Sequence, residues 1–259
     1  AGAIGFYMVL ELIESARTTG KETLVMPLDA SNGFLGGLAG DPELAGGMLA
    51  DLLVIQLRPG VVTLTPIEIK SYGLDADERA NALPAPGSGT LRKPLEQLAS
   101  TLELLEAIKE HWAFLDEDPG QADAVLQANA MAVFIEAAMR LSPSGIADHA
   151  SASTLLEDVL ERRIEIEIGR PILAYFLLTE DPSELCARAC EEDALGVGVG
   201  WHAEYLANPQ AVIAGIEAQE GPVVEAWKEV FGEPEPGPDD EPEPDDEPEP
   251  DDEPEPDDE

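Results

Sequence analysis

Hydrophobic positions along the chain switch between helical and strand-like spacing, which predicts an α/β protein. Apolar residues within 6–17 recur every three or four positions, as in a helix. Residues 22–28 form a short apolar run bounded by charge and proline, as in a strand. Two longer β-branched runs, 50–57 and 61–70, flank the dipeptide Pro59-Gly60. The spacing therefore predicts a helix followed by three strands through residue 70.

Further helices and a fourth strand are predicted downstream. Residues 122–141 and 153–163 have helical patterns, and residues 172–178 have the pattern of a buried strand. Residues 183–193 and 209–231 are mostly helical in pattern. The helical segment 91–112 has one apolar stripe suited to packing on a sheet, formed by Leu95, Leu98, Leu102, Leu105 and Ile108.

The Gly-rich segment 31–48 is predicted to form a flexible loop between the first and second strands. It contains six glycines, too many for a rigid helix, yet it is too apolar for a disordered linker. Because it precedes the second strand directly, we expect this loop to lie beside the start of that strand.

The length of the loop at Pro59-Gly60 decides which side chains of the second and third strands meet. A two-residue loop pairs Arg58 with Val61, and the same register places Asp51 directly opposite Glu68. A three-residue loop would move Asp51 to the opposite face of the sheet. Both registers are compatible with the sequence.

In the two-residue register, the strands bring two acids and one cation together. Directly opposed side chains lie roughly 5 Å apart, and two carboxylates at that distance repel unless a cation or a proton lies between them. Lys70 lies two residues beyond Glu68, so it projects from the same face. A divalent metal would relieve the repulsion between Asp51 and Glu68. Pro66 cannot donate to the sheet and indicates an edge or a bulge nearby.

Composition divides the chain into a globular body and an acidic end. The chain of 259 residues is 44% hydrophobic, enough to bury one sizeable core, and residues 1–232 are predicted to form a single domain. Residues 233–259 repeat Glu-Pro-Glu-Pro-Asp-Asp without an apolar residue, which predicts a disordered tail or an interdomain linker. The first residue is Ala1 rather than Met, so we expect the sequence to be part of a longer protein.

The charge balance excludes a protein that binds DNA through a broad basic surface. The chain has 54 acids, of which 17 lie in residues 233–259, leaving 37 acids against 14 bases in the body. Because non-specific DNA affinity comes mainly from Lys and Arg on phosphates, any contact with nucleic acid must be local or assisted by a metal.

Other motifs give little support to alternative sites. Cys186 and Cys190 have the spacing of one helical turn, with no second cysteine pair to complete a zinc site, and such sparse cysteine suits the cytoplasm. The glycines in 196–200 lack the spacing of a nucleotide-binding loop. Residues 1–10 are apolar but too short for a membrane span and lack the basic start of a signal peptide.

The order helix, three strands, helix, strand, with Asp51 at the start of the second strand and Glu68-x-Lys70 at the end of the third, resembles the PD-(D/E)xK nuclease superfamily. The resemblance covers residues 5–112 and 171–179. It implies an α/β fold like that of restriction endonucleases, with a mixed central sheet flanked by helices in an αβββαβ core and additional helices.

The resemblance also implies roles for individual residues. Asp51 and Glu68 would hold Mg²⁺ or Mn²⁺, and Lys70 would activate or position the water that attacks a phosphodiester. Some members of the superfamily add a glutamate from the first helix, here Glu11 or Glu14. Some members also add a glutamine from the helix after the third strand, and Gln97 is the corresponding candidate.

Three functions remain open from the sequence. The first is a metal-dependent DNA nuclease, endonuclease or exonuclease, within a larger DNA-processing or defence protein whose other domains or subunits supply DNA affinity. The second is an inactive nuclease-fold module that binds a partner protein through the helices of residues 91–163. The third is an acidic DNA mimic. In the inactive cases, Glu68-x-Lys70 is an ordinary charge pair on an exposed strand, worth roughly 0 to 1 kcal/mol.

Overall fold

A computed structural model defines the positions of most of the body. The residues that it describes are 2–16, 22–28, 31–73, 89–115, 121–142, 149–178, 186–190, 202–207 and 209–231. The acidic end at residues 233–259, the glycines of 196–200 and Trp201 lie outside the described residues, and so do the predictions made for them.

The described strands form one mixed sheet with helices on both faces, which confirms the predicted α/β class. The sheet order is β1-β2-β3-β5-β7-β6, and β4 pairs with part of β3. Neighbours β1, β2 and β3 are antiparallel, as are β6 and β7, whereas β3, β5 and β7 are parallel. The seven described strands are β1 (Glu22–Pro27), β2 (Leu52–Arg58), β3 (Val61–Gly73), β4 (Glu165–Ile168), β5 (Ile172–Leu178), β6 (Cys186–Cys190) and β7 (His202–Ala207).

The β2–β3 hairpin has the two-residue loop, so the register that brings Asp51 opposite Glu68 is confirmed. Arg58 pairs with Val61, and the pairing continues in step to Leu52 and Ile67. Gly60 has φ of 74°, a left-handed conformation that glycine adopts without steric cost. The turn residue therefore fixes which face of the sheet each strand side chain occupies.

Pro66 lies where β3 has no strand partner on one side. The β3–β4 pairing ends at Leu64, and the β3–β5 pairing begins at Ile67. At Pro66, the neighbour of β3 therefore changes from β4 to β5. This change takes the place of the edge or bulge that the proline indicated, because β3 lies inside the sheet. On the other side of β3, Pro66 still pairs with Leu53 of β2.

Two layers of helices cover the sheet. The layer containing α3 and α4 packs on the face that carries Leu53, Ile55 and Leu64, whereas α1, α6 and α7 pack on the face that carries Ile67 and Ile69. The described helices are α1 (Gly2–Ser15), α2 (Asn32–Leu38), α3 (Gly89–Leu115), α4 (Ala122–Leu141), α5 (His149–Leu160), α6 (Pro209–Ala218) and α7 (Pro222–Phe231). The predicted helices at 6–17, 91–112, 122–141, 153–163 and 209–231 are thus present, the last as two helices.

Four parts of the fold differ from the sequence prediction. The Gly-rich segment predicted as a flexible loop contains α2 and a single 3₁₀ turn, Leu44–Gly46, because Leu35 and Leu38 are buried against the sheet. Cys186–Cys190 is a strand paired with β7, not a helix. Strand β4 was not predicted, since its four residues are too few for a clear alternation. Strand β7 was not predicted either.

Helix α4 has two apolar faces. Met131, Phe134 and Ile135 are buried in the core, whereas Leu126 and Val133 are exposed. By length and composition alone, α4 is the one described helix that could cross a membrane, and core helices of soluble proteins have the same properties. In this fold α4 is packed through its buried face.

Candidate functional site

Asp51, Glu68 and Lys70 meet at the end of the β2–β3 hairpin away from its turn. Asp51 immediately precedes β2, while Glu68 and Lys70 lie on β3. Because strand side chains alternate, Glu68 and Lys70 share the face of Leu64 and lie opposite the face of Ile69. The two-residue turn therefore produces the cluster predicted from the sequence.

The two carboxylates exchange hydrogen bonds with the backbone of the opposite strand. Asp51 Oδ2 accepts a bond from the Ile69 N–H at 2.7 Å. Glu68 Oε2 accepts a bond from the Asp51 N–H at 3.2 Å. These side-chain bonds continue the contact between the strands beyond Leu52, where regular pairing ends. Each acid therefore helps to fix the position of the other.

Lys70 joins the two acids electrostatically. Its Nζ lies 3.8 Å from Asp51 Oδ2 and donates a hydrogen bond to Glu68 Oε1. The Glu68 side chain is 0% exposed, whereas 24% of Lys70 and 34% of Asp51 are exposed. The site therefore combines the buried carboxylate of Glu68 with two groups that solvent can reach, the carboxylate of Asp51 and the ammonium of Lys70.

Burial makes Glu68 an unusually weak acid. Loss of hydration, together with the smaller effect of the nearby Asp51 charge, raises the pKa of Glu68 to about 7. The hydrogen bond and the positive charge of Lys70 act in the opposite direction. Near neutral pH, Glu68 therefore exists as a mixture of acid and carboxylate.

This raised pKa predicts a pH-dependent stability in metal-free buffer. The folded protein binds the Glu68 proton more tightly than the unfolded chain, whose pKa is the ordinary 4.5. The stabilisation is therefore fully present below pH 4.5 and is lost as pH rises through about 7. Between about pH 5.5 and 8, we expect the free energy of unfolding to fall by about 2 kcal/mol relative to Glu68→Gln. Urea unfolding in EDTA measures this difference, and a pH-independent difference between the two proteins would contradict it.

Gln97 and Thr101 of α3 contact the chain just before Asp51. Gln97 Nε2 donates to the Leu49 carbonyl at 3.0 Å, and Thr101 Oγ1 accepts from the Ala50 N–H at 2.8 Å. The structure therefore places the predicted Gln97 next to the site, bonded to backbone. The sequence prediction missed Thr101; its position one helical turn after Gln97 is the signal that could have identified it.

Glu11 and Glu14 are not brought to the acid pair. Helix α1 packs on the face of Ile69, opposite the face of Glu68. Both glutamates instead line a separate cavity of about 290 Å³, together with Thr23 of β1 and Ser142. The negative charge of Glu11, and next the hydrogen bond between the two side chains, raise the pKa of Tyr7, which also lines this cavity. The prediction that either glutamate adds a metal ligand gains no geometric support.

The donor set at the hairpin fits a hard divalent cation. Among the described residues, no group of three or more His, Cys, Asp or Glu side chains could hold a metal. The pair of Asp51 and Glu68 is nevertheless enough for Mg²⁺, which usually takes one or two carboxylates and keeps several waters. The Lys70 ammonium lies between these carboxylates, where a positive charge is required. A metal ion would therefore compete with Lys70 for Glu68.

Comparisons of the chain with protein-family models, curated proteins and solved structures gave no match.

Proposed function

We propose that this chain is a metal-dependent nuclease module that hydrolyses phosphodiester bonds of DNA at Asp51, Glu68 and Lys70. The observation that carries the proposal is the convergence of these three side chains on one face of the β2–β3 hairpin. Two acids and a lysine, partly open to solvent, are the groups needed for a metal-assisted attack on phosphate.

The arrangement of elements supports a restriction-endonuclease-like core. Helix α1, the antiparallel strands β1 to β3, helix α3 and strand β5 follow one another in the order expected for that fold. Strand β5 lies parallel to β3 along the half of β3 that carries Glu68 and Lys70. The proposed core then carries α2, α4, α5 and β4 as insertions.

Each residue of the site has a proposed chemical task. Asp51 and Glu68 would hold Mg²⁺ or Mn²⁺ through carboxylate oxygens. When bound, the metal would supply charge neutralisation at phosphorus and lower the pKa of its water. Lys70, released from Glu68, would orient the attacking water or offset charge on the phosphate. The exposed positions of Asp51 and Lys70 give a substrate access to these groups.

The charge of the body limits how DNA would be bound. With 54 acids against 14 bases, the chain offers no broad basic surface for a phosphate backbone. We propose that other domains or subunits of a larger DNA-processing or defence protein supply most of the affinity, and that the metal and Lys70 provide the local contact.

Metal binding is the first test of this proposal. We expect Mg²⁺ or Mn²⁺ to bind the full chain with one site, and Asp51→Asn to weaken the affinity by more than about 100-fold, because a ligand oxygen and its charge are lost. Isothermal titration calorimetry above pH 7, where Glu68 is deprotonated, measures both affinities. Asp123→Asn on the first turn of α4 is the matched control. Equal affinities of wild type and Asp51→Asn would refute the assignment.

A second candidate is an inactive nuclease-fold module that binds a partner protein. The exposed apolar side chains of α4, such as Leu126 and Val133, favour it because such surfaces are typical of protein contacts. This candidate predicts a purified partner bound with defined stoichiometry and no cleavage of DNA with either metal.

A further inference from the structure

We propose that Thr101 and Gln97 are positioning residues that hold Asp51 in place from helix α3. The proposal rests on the function proposed for Asp51, and it adds the hydrogen bonds that hold the Asp51 carboxylate in position. The two residues are one helical turn apart, and they bind consecutive residues of the chain, Leu49 and Ala50.

Thr101 is the stronger of the two contacts. Its side chain is fully buried. Its hydroxyl oxygen accepts a hydrogen bond from the Ala50 N–H at 2.8 Å, and the hydroxyl donates one to the Gln97 carbonyl at 2.8 Å. A buried hydroxyl is costly unless it is hydrogen-bonded. The hydroxyl therefore acts as a fixed link between α3 and the backbone one residue before Asp51.

The segment that is held has no strand pairing with β3. Residues 47–50 lie between the 3₁₀ turn and β2, and regular pairing with β3 begins only at Leu52. Asp51 is therefore held by the hairpin, by the Leu28 N–H, which donates to the Asp51 carbonyl at 3.1 Å, and, through Leu49 and Ala50, by the two bonds from α3. Loss of the α3 bonds would leave Leu49 and Ala50 held by core packing alone, and we expect the Asp51 backbone to become more mobile.

The position of Asp51 matters because its backbone and side chain both serve the site. Its N–H donates to Glu68 Oε2, and its carboxylate accepts from the Ile69 N–H. A shift of about 1 Å in such a carboxylate is enough to reduce activity strongly. The contact from α3 thus adds a support from outside the hairpin to the relative placement of Asp51 and Glu68.

Thr101→Val tests the proposal, because valine keeps the shape and removes the hydroxyl. We expect the Ile69 amide to exchange with solvent at least about 10-fold faster than in wild type, while amides of residues 61–64 at the other end of β3 keep their rates. Metal affinity should fall by about 10- to 100-fold. Thr101→Ser should restore both values, and Thr63→Val, at the far end of β3, should leave both unchanged.

Two further results decide the matter. If Thr101→Val does not fold, Gln97→Leu is the alternative variant, because Gln97 is only half buried. The same faster exchange of the Ile69 amide is expected in this variant. Unchanged exchange at Ile69 in a folded variant, or an equal increase along all of β3, would overturn the proposal. The exchange measurement needs neither metal nor DNA, so absence of metal binding in wild type would refute the proposed function without deciding the role of Thr101.

Discussion

Glu68→Gln is expected to lower the rate of Mg²⁺-dependent DNA cleavage by more than about 100-fold. Glutamine keeps the size of the side chain, and its amide oxygen still accepts the hydrogen bond from the Asp51 N–H. It lacks the negative charge that would hold the metal and attract Lys70. The loss should therefore come from the site and leave the fold intact.

Cleavage rates at saturating DNA, measured over Mg²⁺ concentrations that reach saturation for each variant, separate weak metal binding from slow chemistry. Glu103→Gln on the exposed face of α3 is the control and should cleave at the wild-type rate. If Glu68→Gln and Glu103→Gln cleave equally well, Glu68 is not a metal ligand.

Lys70→Met is expected to separate metal binding from catalysis. Removal of the ammonium eliminates the cation that competes with a metal for Glu68, so the affinity for Mg²⁺ should be equal or higher. Cleavage should nevertheless fall by about 100-fold or more, because no group remains to orient the water or offset phosphate charge. Calorimetry and cleavage assays on the same preparation measure the two effects.

Lys109→Met provides the matched control, since Lys109 is an exposed lysine on α3 that lies outside the acid pair. It should show wild-type affinity and wild-type cleavage. Wild-type cleavage by Lys70→Met would instead mean that Lys70 only balances the charges of Asp51 and Glu68.

The two strands of the central hairpin could be predicted from local rules, whereas the sequence left two registers open for its three polar residues. The two-residue turn at Pro59-Gly60 sets the register, and alternation along a strand then assigns each side chain to a face. Asp51, Glu68 and Lys70 follow from this register alone. The long helix α3 was predictable because its stripe of leucines repeats at helical spacing over many turns.

Tertiary packing decided the features that the sequence did not predict. Buried leucines hold α2 in place despite its glycines, and pairing with β7 makes Cys186–Cys190 a strand despite its helical spacing. The face on which α1 packs decides whether Glu11 and Glu14 reach the site, and periodicity within α1 carries no information about that face. Burial of Glu68 likewise depends on distant elements, so its raised pKa could not be predicted.

DNA cleavage by the full chain tests the central claim most directly. Plasmid and linear DNA should be cleaved with Mg²⁺ or Mn²⁺ and remain intact with EDTA, and Asp51→Asn should cleave neither substrate. Cleavage that persists in EDTA or in Asp51→Asn would contradict the account. Intact DNA with both metals, at saturating metal and at protein concentrations high enough to offset weak DNA affinity, would likewise contradict a nuclease at this site.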